Sequence, residues 1–206
     1  MVIIVTFNNA TPPGYPAIPG APEVTDTDSA WNPSDKTADV TLSNTNHTAT
    51  VVSAGGTNGV LRGTRWRSAN DNRFFYVDVT GPDGRNMAAL ATFGATIDPY
   101  PGVSGAGAYG YYGQNGNKYF NGASASYGST FIGAARVGVW LNAGSITFYL
   151  WDGSDWVSQG VAYTGVTGTY FPTWGPGTVA AGTRSATIVT HGIGTMPPGA
   201  REWGGA

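Results

Sequence analysis

The sequence predicts an all-β fold, a two-sheet antiparallel β-sandwich with an extended N-terminal arm. Three observations carry that expectation. Glycine (32) and proline (13) are abundant and scattered among short apolar runs, the spacing of many short strands joined by tight turns. No window of about a dozen residues keeps apolar positions three and four apart without a glycine or proline, which excludes long helices. Hydrophobic residues make up 41% of the 206, aromatics 13% and charged residues only 11%. A typical soluble domain has roughly 25% charged residues. There is enough apolar material for a sizeable core, and disorder is a poor fit for so few charges.

Taken in order, Met1–Phe7 is a β-branched run, expected to form a short strand. It is too short, and lacks the basic flank, to be a signal peptide. From Asn8 to Ala30 comes Thr11-Pro-Pro-Gly-Tyr-Pro-Ala-Ile-Pro-Gly-Ala-Pro22, with too many prolines to sit inside a sheet. It is expected to run extended over a surface, partly as polyproline II. Residues 1–30 therefore read as an arm and residues 31–206 as the sandwich. The arm's apolar residues Val2, Ile3, Ile4, Val5, Phe7, Tyr15 and Ile18 are expected to attach it to a neighbouring subunit.

Beyond Trp31 the pattern becomes strands. Val40–Leu42 and Ala49–Ser53 flank a turn-rich Ser43–Asn46. Phe74–Val79 alternates, with Phe75, Val77 and Val79 on one face and Phe74, Tyr76 and Asp78 on the other. Gly81-Pro-Asp-Gly84 marks a turn before a strand at Met87–Phe93. Ala135–Leu141 and Ser145–Trp151 flank Asn142-Ala-Gly144 as a hairpin, and strands follow at Gly160–Tyr163 and Ser185–Thr190. Trp140 and Phe148 are expected in the core.

Several pieces, in this order, resemble the SPRY domain, a concanavalin-like bent sandwich. They are Trp31-Asn-Pro33, Leu42-Ser-Asn44, Gly59-Val-Leu-Arg-Gly-Thr64 and the strand Phe74–Val79. The middle is most similar: Tyr109-Gly-Tyr111, Asn115-Gly116, Lys118-Tyr119, Asn121-Gly122 and Tyr127-Gly128, then Arg136-Val-Gly-Val139 and Ser145-Ile-Thr-Phe148. Gly160-Val-Ala-Tyr163, a corner at Tyr170-Phe-Pro172, Thr187–Gly192 and Pro197-Pro-Gly199 complete a resemblance that runs from Trp31 to Trp203. Asn142, Asp152 and Thr190 depart from it, standing where an aspartate and two asparagines are usual. The resemblance implies a jelly-roll sandwich that binds peptides through loops at one end.

No recognised catalytic or cofactor-binding pattern occurs in the sequence. No Gly-x-Ser-x-Gly elbow, Walker loop or dinucleotide fingerprint occurs, and glycine groups such as Gly105-Ala-Gly107 read as turns. His47 and His191 are too far apart in sequence for ligand spacing and read as solvated loop and edge residues. The concanavalin-like architecture also hosts glucanases with a Glu-x-Asp-x-x-Glu strand, but the only glutamates are Glu23 and Glu202. Asp152-Gly-Ser-Asp155 reads as a hydrated turn rather than a calcium loop. With no cysteine and a net charge of −2, the expectation is no enzyme, no cofactor, no metal, no nucleic acid and no membrane insertion.

Aromatic surface chemistry remains. Arg65, Trp66, Arg67, Tyr100, Tyr111, Tyr112, Trp151, Trp156 and Trp174 fall in or beside turns, and Trp, Tyr and Arg are enriched at binding hot spots. They form the candidate binding surface, for protein or for a host-surface glycan. The low charge, the small-residue richness and the proline-rich arm on a SPRY-like body lead to the expectation of a bacteriophage virion protein. It would be a fibre, tail-tip or capsid-decoration component, part of an oligomer or larger assembly. The alternative is a stand-alone recognition module, extracellular or at a cell surface.

Overall fold

The computed structural model describes residues 28–53, 59–98, 100–103, 107–176 and 181–205. The expected strand at Met1–Phe7, the run through residue 27, and with them Val2, Ile3, Ile4, Val5, Phe7, Tyr15 and Ile18, lie outside the described residues, as does Gly105.

The described residues hold strands and no helix. The strands are β1 (Trp31–Lys36), β2 (Val40–Ser43), β3 (Thr48–Ser53), β4 (Leu61–Gly63), β5 (Arg67–Ser68), β6 (Asn72–Thr80), β7 (Met87–Ala91) and β8 (Ala108–Tyr112). There follow β9 (Asn117–Phe120), β10 (Ala123–Ser126), β11 (Ala135–Asn142), β12 (Ser145–Trp151), β13 (Trp156–Tyr163), β14 (Thr169–Gly175), β15 (Gly182–Val189) and β16 (Arg201–Glu202). They form two sheets, as expected. Sheet A has the order β1-β4-β14-β7-β8-β9-β10, with β5 also on β14. Sheet B has the order β13-β12-β11-β6-β15-β3-β2, with β16 also on β6. All pairings are antiparallel except that of β16, which lies parallel to β6 at Arg73 and Phe74, beyond the point where β15 stops pairing at Tyr76.

The core lies between the sheets. From sheet B come Phe75, Val77 and Val79 of β6, Val137, Val139 and Leu141 of β11, and Phe148 of β12. They meet Trp31, Leu61, Leu90, Tyr111 and Trp174 from the sheet A side. Each large side chain so buried contributes about 1.5–3 kcal/mol. The alternation read from Phe74–Val79 is what the structure shows: the odd positions are buried in this core and the even ones face outward. Trp140 departs from the expectation. It sits on the outward register of β11, half-buried, and donates from Nε1 to Asn72 Oδ1 at 2.6 Å.

Turn chemistry fixes the hairpins. Asn121 and Gly122 (φ 51° and 77°), and Ala143 and Gly144 (φ 46° and 77°), have positive φ at both central positions, the two-residue turn whose twist suits antiparallel strands. Sheet A is covered on its outer face as well, by the β7–β8 connection. Ala95 and Ile97 from that loop pack on Val60, Ala91 and Ala108. Arg62, almost fully buried, holds the loop by donating to the Ala95 carbonyl and to both oxygens of Asp35, at 2.8 and 3.0 Å.

Tyr170-Phe-Pro172, expected as a corner, is instead the middle of β14. Proline is normally kept out of central strands because it cannot donate to the ladder. Here β5 pairs with Thr169 and Tyr170 and β4 with Thr173 and Trp174. Pro172 falls in the gap between these two short partners.

Candidate functional site

The outward positions of β6, β11, β12 and β13 lie side by side on sheet B. Tyr76 pairs with Gly138, which pairs with Tyr149, which pairs with Ser158. One step along, Asp78 pairs with Arg136, and Trp151 with Trp156 at the sheet's edge. Cross-strand neighbours on one face lie close enough for aromatic and charged pairs to touch. The Trp156 ring lies 5.0 Å from Phe74, 5.6 Å from Tyr76 and 5.2 Å from Trp151, and its Nε1 donates to the Thr195 carbonyl at 2.8 Å. Ile193, Met196 and Ala200 of the C-terminal segment complete this outer cluster.

Arg136 is the polar centre. Its Nε and Nη2 donate to the two Asp78 oxygens at 2.7 and 3.0 Å, a bidentate fork that fixes the guanidinium plane. The same guanidinium sits 4.4 Å above the Tyr76 ring and 6.0 Å from Trp151, within cation–π range. The Asp78 hydrogen bonds raise the Arg136 pKa above its ordinary value, and burial raises that of Tyr76. Among the described residues, Arg136 Nη1, Tyr76 Oη and Trp151 Nε1 make no hydrogen bond, while all three side chains are partly exposed. Open donors around a rigid aromatic floor suit recognition of carbonyl, carboxylate or hydroxyl oxygens.

The cluster depends on a missing side chain. A Cβ on Gly138 would lie 2.6 Å from the Phe74 ring and 3.0 Å from the Trp156 ring. Gly138→Ala is therefore expected to displace Phe74 and with it Trp156, costing about 1–3 kcal/mol. The check is near-ultraviolet circular dichroism with a urea melt. An unchanged aromatic signal and midpoint would show that the rings do not need this space.

The other expected binding residues are dispersed. Tyr100 and Tyr112 form a second aromatic group, each edge-on to Tyr119 at 5.9 and 5.8 Å. Tyr111 and Trp174 are fully buried and belong to the core. Tyr111 donates to the Ser129 carbonyl, and Trp174 Nε1 to Asn86 Oδ1 at 3.2 Å. Both leave the surface set, because the tyrosine and indole polar ends find partners inside. Trp66 is half-buried between β4 and β5. Its neighbours grip the C-terminal segment: Arg65 Nη1 donates to the Gly204 carbonyl at 2.5 Å, and Arg67 donates from Nε to Trp203 O at 2.8 Å and from Nη2 to Gly205 O. Arg73 adds bonds to the carbonyls of Glu202 and Gly205, both at 3.0 Å.

Neither histidine is merely solvated. His47 Nε2 lies 2.6 Å from Asp28, and His191 Nδ1 lies 2.6 Å from Glu202. Thr190 Oγ1 donates to Asp28 at 2.7 Å, tying the start of the described chain to the end of β15. Asp152 Oδ1 accepts from Ser154 N, Ser154 Oγ and Asp155 N, so its carboxylate closes its own turn, and those donors lower its pKa.

No protein-family model matches the sequence, and no curated protein matches it. Solved structures do match. The SPRY domain of human HERC1 aligns with a TM-score of 0.62 at 13% identity, covering 77% of this chain and 96% of that one. A human SPRY domain aligns at 0.58 and 16% identity, covering 74% and 95%. The TRIM65 PSpry domain aligns at 0.59 and 12% identity, covering 79% and 92%. With identity this low the likeness is one of backbone architecture: the chain has the fold of a SPRY domain.

Proposed function

We propose that the chain is a non-enzymatic recognition module that binds a protein partner on the outer face of sheet B, around Arg136, Tyr76, Trp151 and Trp156. The observation that carries this reading is the Arg136 guanidinium, held by Asp78 against Tyr76 with donors left open. A side chain already fixed in its bound geometry loses little entropy when a partner arrives. The fold shared with SPRY domains supports a protein ligand over a reaction. The contact then lies on a sheet face instead of the end loops that the sequence resemblance implied.

Selection of a displayed random-peptide library against the whole chain tests this. Peptides recovered on the wild type are expected to lose at least tenfold in affinity on Arg136→Ala and on Trp151→Ala. If they bind both variants undiminished, the contact lies elsewhere. Paired indoles also suit sugar rings, so a glycan array run alongside decides the ligand class. A sugar bound by the wild type and lost in Trp151→Ala replaces the peptide.

The finer reading is a bacteriophage virion component, a fibre, tail-tip or decoration protein that the arm of residues 1–30 attaches to neighbouring subunits. Its support is compositional: 11% charged residues, no cysteine, and a proline-rich run following a β-branched one. Removing residues 1–27 is expected to abolish incorporation into particles; normal incorporation overturns the reading.

A further inference from the structure

Among the described residues the two open sheets have four lateral edges, and an unprotected edge invites another strand to pair with it. Three of the edges carry a protective device. β1 contains Pro33 and an irregular register between Trp31 and Lys36. On β2, both backbone groups of Val40 are taken, the N–H by the Thr37 carbonyl at 3.3 Å and the C=O by Lys36 Nζ at 2.7 Å. β13 is bent at Gly160 (φ 88°) with register shifts against β12. Its outer groups are also capped by side chains: Tyr127 Oη donates to Gly160 O, Ser158 Oγ accepts from Gly160 N, and Gln159 Nε2 donates to Val157 O.

The fourth edge, β10, has none of these. Its sequence is Ala-Ser-Ala-Ser, regular in register with β9 and exposed at all four positions. The two-residue turn at Asn121-Gly122 makes Phe120 and Ala123 the hydrogen-bonded pair, and so also Lys118 and Ala125. The N–H and C=O of Ser124 and Ser126 therefore point away from β9, and neither residue hydrogen-bonds to any described residue.

We propose that the Val2–Phe7 run of one copy adds as a strand to β10 of a neighbouring copy. This rests on the reading of the N-terminal arm as the attachment segment and names where it attaches. Val2-Ile-Ile-Val-Thr-Phe7 has neither charge nor proline and is rich in β-branched residues, which suits an added strand. The following twenty residues to Thr27 include five prolines. At about 3.1 Å per residue they span up to roughly 60 Å. A domain of this size has a radius of gyration near 16 Å, so the length of this run is sufficient for contact with a neighbouring copy. The contact is heterologous, linking copies head to tail.

Sedimentation of the full chain tests the proposal. The wild type is expected to self-associate. Ser124→Pro and Ser126→Pro each remove one outward N–H without breaking the β9 ladder, and both are expected to be monomeric with thermal transitions close to wild type. Ile4→Pro/Val5→Pro, which removes a donor from each side of the arm strand, is expected to be monomeric too. Amide exchange gives an independent reading: Ser124 and Ser126 are expected to be protected in the wild-type assembly and to exchange freely in the arm variant. A monomeric wild type, or unprotected Ser124 and Ser126, overturns the proposal. Assembly that needs the arm but survives both β10 prolines overturns β10 as the site while leaving the arm as the attachment segment.

Discussion

A chain ending at Ala200 is expected to lose about 6 kcal/mol or more of folding stability and to unfold at far lower urea, if it folds cooperatively at all. The segment removed is part of the core. Trp203 is fully buried, packs edge-on against Phe75 at 5.1 Å and donates from Nε1 to the Arg65 carbonyl at 3.1 Å. Its loss alone corresponds to about 3–5 kcal/mol. The same cut takes away the carbonyls of Glu202, Trp203, Gly204 and Gly205, which accept from Arg65, Arg67 and Arg73. Hydrogen bonds to charged groups are worth about 1.5–3 kcal/mol when well shielded, as at the buried Arg73, and less at the partly exposed Arg65 and Arg67. Against a total of about 5–15 kcal/mol, that is a large share. Trp203→Ala separates the two contributions with an expected loss of about 3–5 kcal/mol. Trp203→Phe keeps most of the packing, drops the Nε1 bond and is expected to cost about 1–2 kcal/mol. An unchanged urea midpoint in the truncated chain would show that the segment only rests on the sandwich.

This arrangement shows what the sequence could and could not reveal. Arg65-Trp-Arg67 resembles a binding hot spot because Trp and Arg favour interfaces. The acceptors lie more than 130 residues away, and nothing local points to them. Sheet B was legible strand by strand: β3, β6, β11, β12 and β15 have one face in the core and one outward, so their side chains alternate. Sheet A is largely illegible, and β7 alone among its strands carries a clear strand signal. β7 and β14 are buried on both faces, between the core and the β7–β8 loop, so their sequences, Met-Ala-Ala-Leu-Ala and Thr-Tyr-Phe-Pro-Thr-Trp-Gly, do not alternate.

The outer cluster was half visible. Trp151 and Trp156 stood out as aromatics flanking a turn, and the hairpin geometry that makes them partners follows from that turn. Arg136, Tyr76 and Asp78 do not stand out in the sequence as a unit, although the alternation of β6 places Tyr76 and Asp78 outward. What was lacking was the register of β6 against β11, which sets Asp78 opposite Arg136 across 58 positions of sequence. Opposite charges at outward positions of two neighbouring strands were the only available signal.

Asp83→Ala is expected to destabilise the chain by about 2–4 kcal/mol, and Arg184→Met by clearly less. Arg184 lies on the inward register of β15 with its side chain fully buried, while Asp83, in the Gly81–Gly84 turn, is 26% exposed. Asp83 Oδ1 accepts from Arg184 Nη2 at 2.6 Å and Nε at 3.2 Å. Removing the carboxylate deprives a buried guanidinium of its counter-charge, which costs about 3–5 kcal/mol in a sealed interior and less at this rim. Removing the arginine instead leaves a carboxylate that water and Arg85, 3.3 Å away, can still serve. The asymmetry thus follows from which partner is buried. Burial opposes ionisation of Asp83, but the hydrogen bonds and charges of Arg184 and Arg85 outweigh it and hold its pKa below the ordinary 3.8. A depressed carboxylate stabilises the fold above its unfolded pKa, and that stability disappears as pH falls through the folded value. Urea midpoints measured on descending from neutral pH are therefore expected to drop below about pH 4, more steeply in the wild type than in Asp83→Asn. Asp28, also lowered, contributes equally to both. Equal acid slopes, or an Arg184→Met loss as large as that of Asp83→Ala, would mean that packing of the arginine stem, and not its charge, holds this corner together.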